Sequence, residues 1–428
     1  MASCLRAPVE WLKRLSDRQP RVLAVLPGII PSTVISVIKP FIELHRGGHI
    51  SARIELEAFT EAWELEQADL VVFCRNTEPI YCNILEFVLE RGTPYIYDLD
   101  DNFFEIPGNS HVARYHHAPE RLALLKRYVT HASLVRVYSN ALFDKVQTLN
   151  PSVQKVVGPL DLRLIPKKVS DSDRRRIKLV YATSRRLDDD FEDVYLPPVV
   201  RVLQEYHGLV EMHFWGHQPP RLRGRDDVYY HSPIADYDRF LRAFAKSAYD
   251  IGLAPLHDDI FCRSKSNNKF REYGGCGIAG VYSKVDVYTD CVEDGETGLL
   301  VPNSSEAWYR AIVQLIEDDD LRKKIGRQAR DYVCTHYSQR KFERVWYDQI
   351  RGVLDRCLSK GGPVSQAPDG SSLFGLDILA KLLTIVRYLR SRNYGAALQT
   401  LLYYKHQLPI TIRMQCRGSH PVARLTHG

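Results

Sequence analysis

Three cations stand close together in one short stretch, Arg263, Lys265 and Lys269, with Ser266 among them and Glu272 just beyond. Arginine makes forked contacts with an anion and lysine a point contact, so such a cluster suits a phosphate group. A helix start at Asn267 would add backbone N–H groups on the same side, a setting that favours negative charge. A solvated charged loop is the plainer reading, and the three cations alone do not exclude it. A second group is Asp98-Leu99-Asp100-Asp101. Paired carboxylates can hold Mg or Mn, orient a hydroxyl group or accept its proton. They can equally cap a helix ahead of Phe103 and Phe104. Two more polar loops, Thr183-Ser184-Arg185 and Trp215-Gly216-His217, follow apolar runs. A surface arginine and a buried strand-end tryptophan are the bland alternatives there.

Each group is delivered by a short apolar segment of the kind buried inside parallel sheets. Pro94–Tyr97 leads to Asp98, Ile177–Ala182 to Thr183, Val210–Trp215 to Gly216, and Ile251–Pro255 to the cation loop. Further strands are expected at Arg21–Leu26, Ile50–Leu56, Ala68–Cys74, Leu134–Tyr138, Val228–His231, Ile278–Tyr282 and Leu299–Val301. Helical segments alternate with them, which predicts an α/β architecture with helices on both faces of parallel sheets. The pattern pauses over Val156–Arg175, where prolines, a glycine and a charge run read as a linker, and then restarts. A helix over Asn267–Tyr273 is expected to end at Gly274-Gly275.

A chain of 428 residues is long enough for two domains with separate cores. Net charge is +6, but the segment from Leu373 onward holds eight Lys and Arg against Asp377 alone. The basic character therefore belongs to the tail, and no nucleic-acid partner is expected. Nine cysteines without a C-x-x-C pair form neither a disulfide framework nor a zinc site, which suits a reducing compartment. The N-terminus lacks the apolar core of a signal peptide. Pro27, Pro31 and Lys39 interrupt the apolar Val22–Ile42, so no membrane span is read there. Lys360–Ser372 has the composition of a flexible linker. Beyond it, Leu373, Leu376, Ala380, Leu383 and Val386 keep helical spacing, and Tyr394–Tyr404 makes a second apolar helix. Such a basic pair would lie on an anionic membrane surface or dock as a hairpin on the first domain.

The order GLAPL … KSNNKFREY … GIAGV … VEDGETGLLVPN within Asp250–Asn303 resembles the donor-binding half of GT-B glycosyltransferases, the large retaining group called family 4. Asp294–Val301 is its most specific piece, and the likeness extends over about Arg21–Leu354. It implies two Rossmann-like domains facing a cleft, with a C-terminal helical extension. The acceptor-side domain would span residues 1–165, the nucleotide-sugar domain 166–340, a helix crossing back 341–358, a linker 359–372 and a basic helical tail 373–428. The activity implied is transfer of a sugar from a nucleotide-sugar donor to a glycan or lipid-linked acceptor. It would proceed with retention, without a metal or other cofactor, in the cytoplasm or at the inner face of a membrane.

By that resemblance Arg263, Lys265, Ser266 and Lys269 lie on the donor side, with Thr183, Ser184 and Arg185 at the phosphates. Glu272 matches the second glutamate of the family's E-x7-E motif, which holds the ribose, and Trp215-Gly216-His217 lies near the base or ribose. The family's first glutamate, placed at the donor sugar, is replaced here by Ser264. That departure leaves room for a different donor sugar or a non-catalytic binding relative, while an epimerase or phosphorylase would share the same scaffold. Asp98, Asp100 and Asp101 resemble the D-x-D-D-x-x-F of one GT-B subgroup, facing the cleft, where a carboxylate orients the acceptor hydroxyl or acts as its base. A metal-binding D-x-D of the GT-A kind is the rival reading.

Overall fold

Segments such as Leu70-Val-Val-Phe-Cys74 have no polar alternation and must be covered on both faces, which a parallel sheet between helix layers provides. The computed structural model, which describes residues 19–108, 110–166, 176–183 and 191–359, contains two such sheets. The first holds β1 (Arg21–Leu26), β2 (Ser51–Leu56), β3 (Leu70–Cys74), β4 (Tyr95–Leu99), β5 (Leu134–Val137) and β6 (Val153–Lys155), in the order β2-β1-β3-β4-β5-β6. The second holds β7 (Ile177–Ala182), β8 (Val210–Trp215), β9 (Val228–His231), β10 (Ile251–Ala254), β11 (Ala279–Ser283) and β12 (Leu299–Val301), ordered β12-β11-β10-β7-β8-β9. All pairings are parallel. Chain direction across the sheet reverses between β1 and β3 in the first and between β7 and β10 in the second. Such switch points leave crevices at the C-terminal ends of the strands, where ligands of open α/β sheets bind.

The described helices of eight residues or more are α1 (Lys39–Arg46), α2 (Cys82–Glu90), α3 (Pro119–His131), α4 (Asn140–Gln147), α5 (Leu196–Glu205), α6 (Tyr237–Ser247), α7 (Asn268–Cys276), α8 (Ser305–Glu317), α9 (Asp319–His336) and α10 (Gln339–Ser359). The expected end of α7 at Gly274-Gly275 is wrong. The helix runs through both glycines and stops at Gly277, whose φ of 74° makes the left-handed cap. Gly274 and Gly275 serve packing instead, since a side chain at the first would run into Val333 of α9 and at the second into Leu160.

Helix α10 leaves the second sheet and returns to the first. Its Phe342, Trp346, Ile350, Val353 and Leu354 complete a core with Val22, Phe41 and Leu70. Trp346 Nε1 donates to the Ser36 carbonyl at 2.6 Å, and its ring lies 3.3 Å from the Arg136 guanidinium carbon. Replacing Trp346 with alanine is expected to cost about 3–5 kcal/mol in urea denaturation. Val345→Ala, on the exposed side of the same helix, is expected to stay within about 0.5 kcal/mol. The linker and basic tail anticipated beyond residue 359, with their membrane contact, lie outside the described residues. No described helix is long and apolar enough to cross a membrane.

Candidate active site

Loops after β1, β3 and β4 of the first half and after β7, β8 and β10 of the second enclose a cavity of about 560 Å³. The first half contributes Ser32, Arg75, Asp100 and Asp101 to its wall. Among the residues from the second are Thr183, Trp215, Gly216, Lys265, Ser266, Lys269 and Glu272. Residues from 32 to 272 in the sequence thus meet in one space, and both switch points open onto it.

The three aspartates do not share a role. Asp98 is fully buried and does not face the cleft, contrary to expectation. Parallel pairing of β4 with β5 sets Asp98 beside Arg136, whose Nε lies 3.1 Å from Oδ1, and Tyr138 Oη donates to both carboxylate oxygens at 3.0 and 3.1 Å. Burial raises its pKa even against the opposing charge of Arg136. Asp100 and Asp101 do reach the cavity, one on each arm of Arg75: Nη1 donates to Asp100 Oδ2 at 3.0 Å and Nη2 to Asp101 Oδ2 at 3.4 Å. Asp100 Oδ1 is buried with no hydrogen-bond partner in the protein, an unusual state for a carboxylate oxygen.

Arg75 is the functional candidate that sequence reasoning missed. It sits directly after β3 at φ 63°, a left-handed conformation uncommon for a residue other than glycine. The Ser32 hydroxyl also accepts from it at 2.8 Å, and its guanidinium carbon lies 4.8 Å from the centre of the Phe103 ring. Burial would lower its pKa, but Asp100 and Asp101 outweigh that and raise it. The signal available beforehand was a lone cation at a strand end, Cys74-Arg75-Asn76, which carries no specificity alone.

On the opposite wall Lys265 is buried and donates to Asp101 Oδ1 at 2.6 Å, while its Nζ lies 3.5 Å from the centre of the Phe261 ring. Lys269 donates to Glu272 Oε2 at 2.7 Å, and Tyr237 Oη donates to Glu272 Oε1 at 3.2 Å. The N-terminal turn of α7 lines the cavity beside them through Asn268 and Lys269. Trp215 packs on His231 at 4.5 Å and donates to Tyr249 Oη at 2.7 Å, leaving it and Gly216 as one end wall. Three expected residues lie elsewhere. Arg263 turns outward to pair with Asp258 at 2.6 Å and lines only a smaller cleft of about 70 Å³. Ser264 is fully buried, donating to the Ile260 carbonyl at 2.7 Å and accepting from Asn102 Nδ2 at 3.2 Å. His217 is half-buried outside the cavity lining. Ser184 and Arg185 lie outside the described residues.

Other contacts fasten the halves beside the cavity. Lys39 of α1 binds Asp161 at 3.0 Å and Asp238 of α6 at 2.6 Å. Although burial alone would raise the Asp161 carboxyl, hydrogen bonds from Arg163 and Lys39 bring its pKa down to about 2. His116 stacks on Phe103 at 4.4 Å, and burial, aided by the nearby charge of Arg75, lowers its pKa to about 4. The unfolded chain takes up this proton near pH 6.5 and the folded one near 4, so the stability held above pH 6.5 falls as pH drops between the two. The expected loss is at most about 3 kcal/mol, and His116→Phe should flatten the melting profile across that window. Among the described residues the one grouping of three metal-capable side chains is His207, Asp226 and Asp227, away from the cavity lining, and there Arg225 already holds Asp227 at 2.6 Å.

Two Rossmann-like halves with a ligand-sized cavity between their switch points, and a final helix returning to the first half, define a GT-B fold. Residues 193–318 match the family model described as "Glycosyl transferases group 1". The chain thus has the GT-B fold, and the segment that matches the group 1 model lies in its second half. Sucrose-phosphate synthase from Thermosynechococcus elongatus superposes with a TM-score of 0.58 at 13% identity, covering 79% of this chain and 100% of that one. HepE from Anabaena, in complex with UDP and glucose, gives 0.57 at 14% identity, covering 78% and 100%. A glycosyltransferase from Rickettsia africae gives 0.55 at 12%, covering 78% and 99%. No curated protein sequence matches the chain.

Proposed function

We propose that the protein transfers a sugar from a nucleotide-sugar donor to a hydroxyl of a glycan or lipid-linked acceptor, with retention of configuration and without a metal. The observation that carries this is the division of charge across one cavity. Lys265, Lys269 and the start of α7 stand on the second half, and Asp100 and Asp101 on the first. Departure of a nucleoside diphosphate creates negative charge, and fixed lysines with a helix N-terminus stabilise that charge as it develops. Glu272 accepts from the ribose hydroxyls, since an ionised carboxylate offers only acceptors. The Trp215–Gly216 wall closes the nucleoside end. Asp100, on the cavity wall, takes the acceptor hydroxyl and orients it toward the sugar carbon.

A metal-free reaction fits the surroundings of the aspartates. Arg75 and Lys265 already neutralise Asp100 and Asp101, and a divalent cation would have to displace both. Binding of UDP by HepE makes uridine nucleotides the first donors to try. The experiment is turnover of a nucleotide-sugar panel, with and without EDTA, with the anomeric configuration of the product read by NMR. Turnover unchanged by EDTA and a retained anomer are expected. Metal-dependent turnover would return the aspartates to a metal-binding role. A second reading is favoured by Ser264, whose buried hydroxyl is used within the fold: a non-catalytic binding protein, which would take up the nucleotide sugar and turn none over.

A further inference from the structure

Asp101 is one point where the two halves touch at the cavity. Its Oδ1 accepts from Lys265 of the second half at 2.6 Å and its Oδ2 from Arg75 of the first at 3.4 Å. Lys265 belongs to the group assigned to the donor diphosphate, so the two anions, carboxylate and phosphate, compete for one ammonium. A diphosphate on Lys265 would lie next to Asp101, whose Oδ1 is 2.6 Å from the same ammonium. The neighbouring residue of the second half, Ser264, offers the sugar nothing, because it is fully buried with its hydroxyl engaged. Glu272, a carboxylate of that half on the cavity wall, is the one assigned to the ribose, and Lys269 and Tyr237 hold it there.

We propose that Asp101 is a specificity-determining residue for the donor: once the diphosphate takes over Lys265, the carboxylate turns from the lysine to hydroxyl groups of the transferred sugar. This rests on the donor site assigned above. The chemistry is direct, since a sugar presents O–H donors and a carboxylate held by Arg75 presents acceptors. Arg75 keeps Asp101 in place after the lysine has left it. The donor sugar is then read by the first half while its nucleotide is held by the second. Recognition of the sugar therefore requires both halves to be in contact. Bare nucleoside diphosphate satisfies Lys265 but leaves Asp101 unrewarded, so the sugar adds affinity only through this residue's half.

The sign of the mutational effect separates this role from a structural one. Asp101→Asn removes the anion that competes for Lys265, so affinity for the nucleoside diphosphate stays equal or rises. The extra affinity contributed by the sugar falls by about ten- to a hundred-fold, the worth of one or two charged hydrogen bonds. The test is calorimetric titration of wild type, Asp101→Asn and Asp101→Glu with UDP, GDP and ADP and with their glucose and N-acetylglucosamine conjugates. Melting curves of each variant without ligand are taken alongside. Retained or tightened diphosphate binding with a lost sugar increment in Asp101→Asn supports the proposal, as does a changed order of preference among sugars in Asp101→Glu. An unchanged sugar increment in both variants overturns it, and so does a parallel loss of diphosphate and conjugate in variants that melt normally. Should Asp101→Asn melt early, Asp101→Glu, which keeps the charge, decides alone. Wild type that binds none of the nucleotides fails at the earlier step and removes the donor site itself.

Discussion

Replacing Lys265 and Lys269 together by alanine is expected to abolish the thermal stabilisation that a nucleoside diphosphate gives the protein. In the wild type that stabilisation is a mass-action effect of about 2.7 kcal/mol when ligand stands at a hundred times its dissociation constant. Both lysines line the cavity within hydrogen-bond distance of a carboxylate that a phosphate oxygen can replace. Lys265 is buried and Lys269 partly exposed, but each carboxylate has a second partner. Asp101 keeps Arg75, and Glu272 keeps Tyr237, when the lysines are gone. The unliganded double variant should therefore melt near the wild type, and only the ligand-induced shift should vanish. A shift of wild-type size in the double variant would remove the donor assignment.

Asp100→Asn is expected to lower turnover by about a hundred-fold or more, the usual contribution of a positioned proton acceptor, while leaving nucleoside diphosphate binding nearly intact. Asp98→Asn, two residues away, should behave in the opposite manner. It removes the carboxylate from a fully buried pair and leaves Arg136 charged among Phe342 and Trp346, at a cost of about 3–5 kcal/mol. The first variant should melt normally and turn over poorly. The second should melt early, with whatever remains folded still active. Equal loss of turnover in both, at unchanged stability, would place the reacting hydroxyl somewhere other than Asp100.

Strand positions were legible because apolar runs of three to seven residues leave few alternatives. Arg21–Leu26, Ile177–Ala182, Val210–Trp215, Val228–His231 and Leu299–Val301 appear with the expected bounds. That the Asp100 and Lys265 loops would face one cleft came from the GT-B resemblance, since the two lie at strand ends of different sheets and nothing local joins them. What was not legible depends on contacts made across the chain. The burial of Asp98 follows from its register with Arg136 on the neighbouring strand, 38 positions on, which no local pattern encodes. The outward turn of Arg263 depends on Asp258 within its own loop, and the loss of Ser264 to the interior depends on Asn102 from the other half. Gly274-Gly275 looked like a helix stop because glycine ends helices more often than it packs them, and the deciding neighbour, α9, lies some fifty residues further along.

The return of α10 sets an order on how the molecule is made. Strands β1 to β6 leave the ribosome first, yet Trp346, Ile350 and Leu354, which close the core beneath them, come almost two hundred residues after β6. Until those residues emerge, the nascent first half has a bare apolar face, with the Arg136 guanidinium exposed where the Trp346 ring will lie. At about 5–20 residues per second that interval lasts roughly ten to forty seconds, while the second half is synthesised and free to fold. The half that is translated first is therefore the half that is completed last, and a chain arrested before Gln339 would leave the ribosome in need of a chaperone.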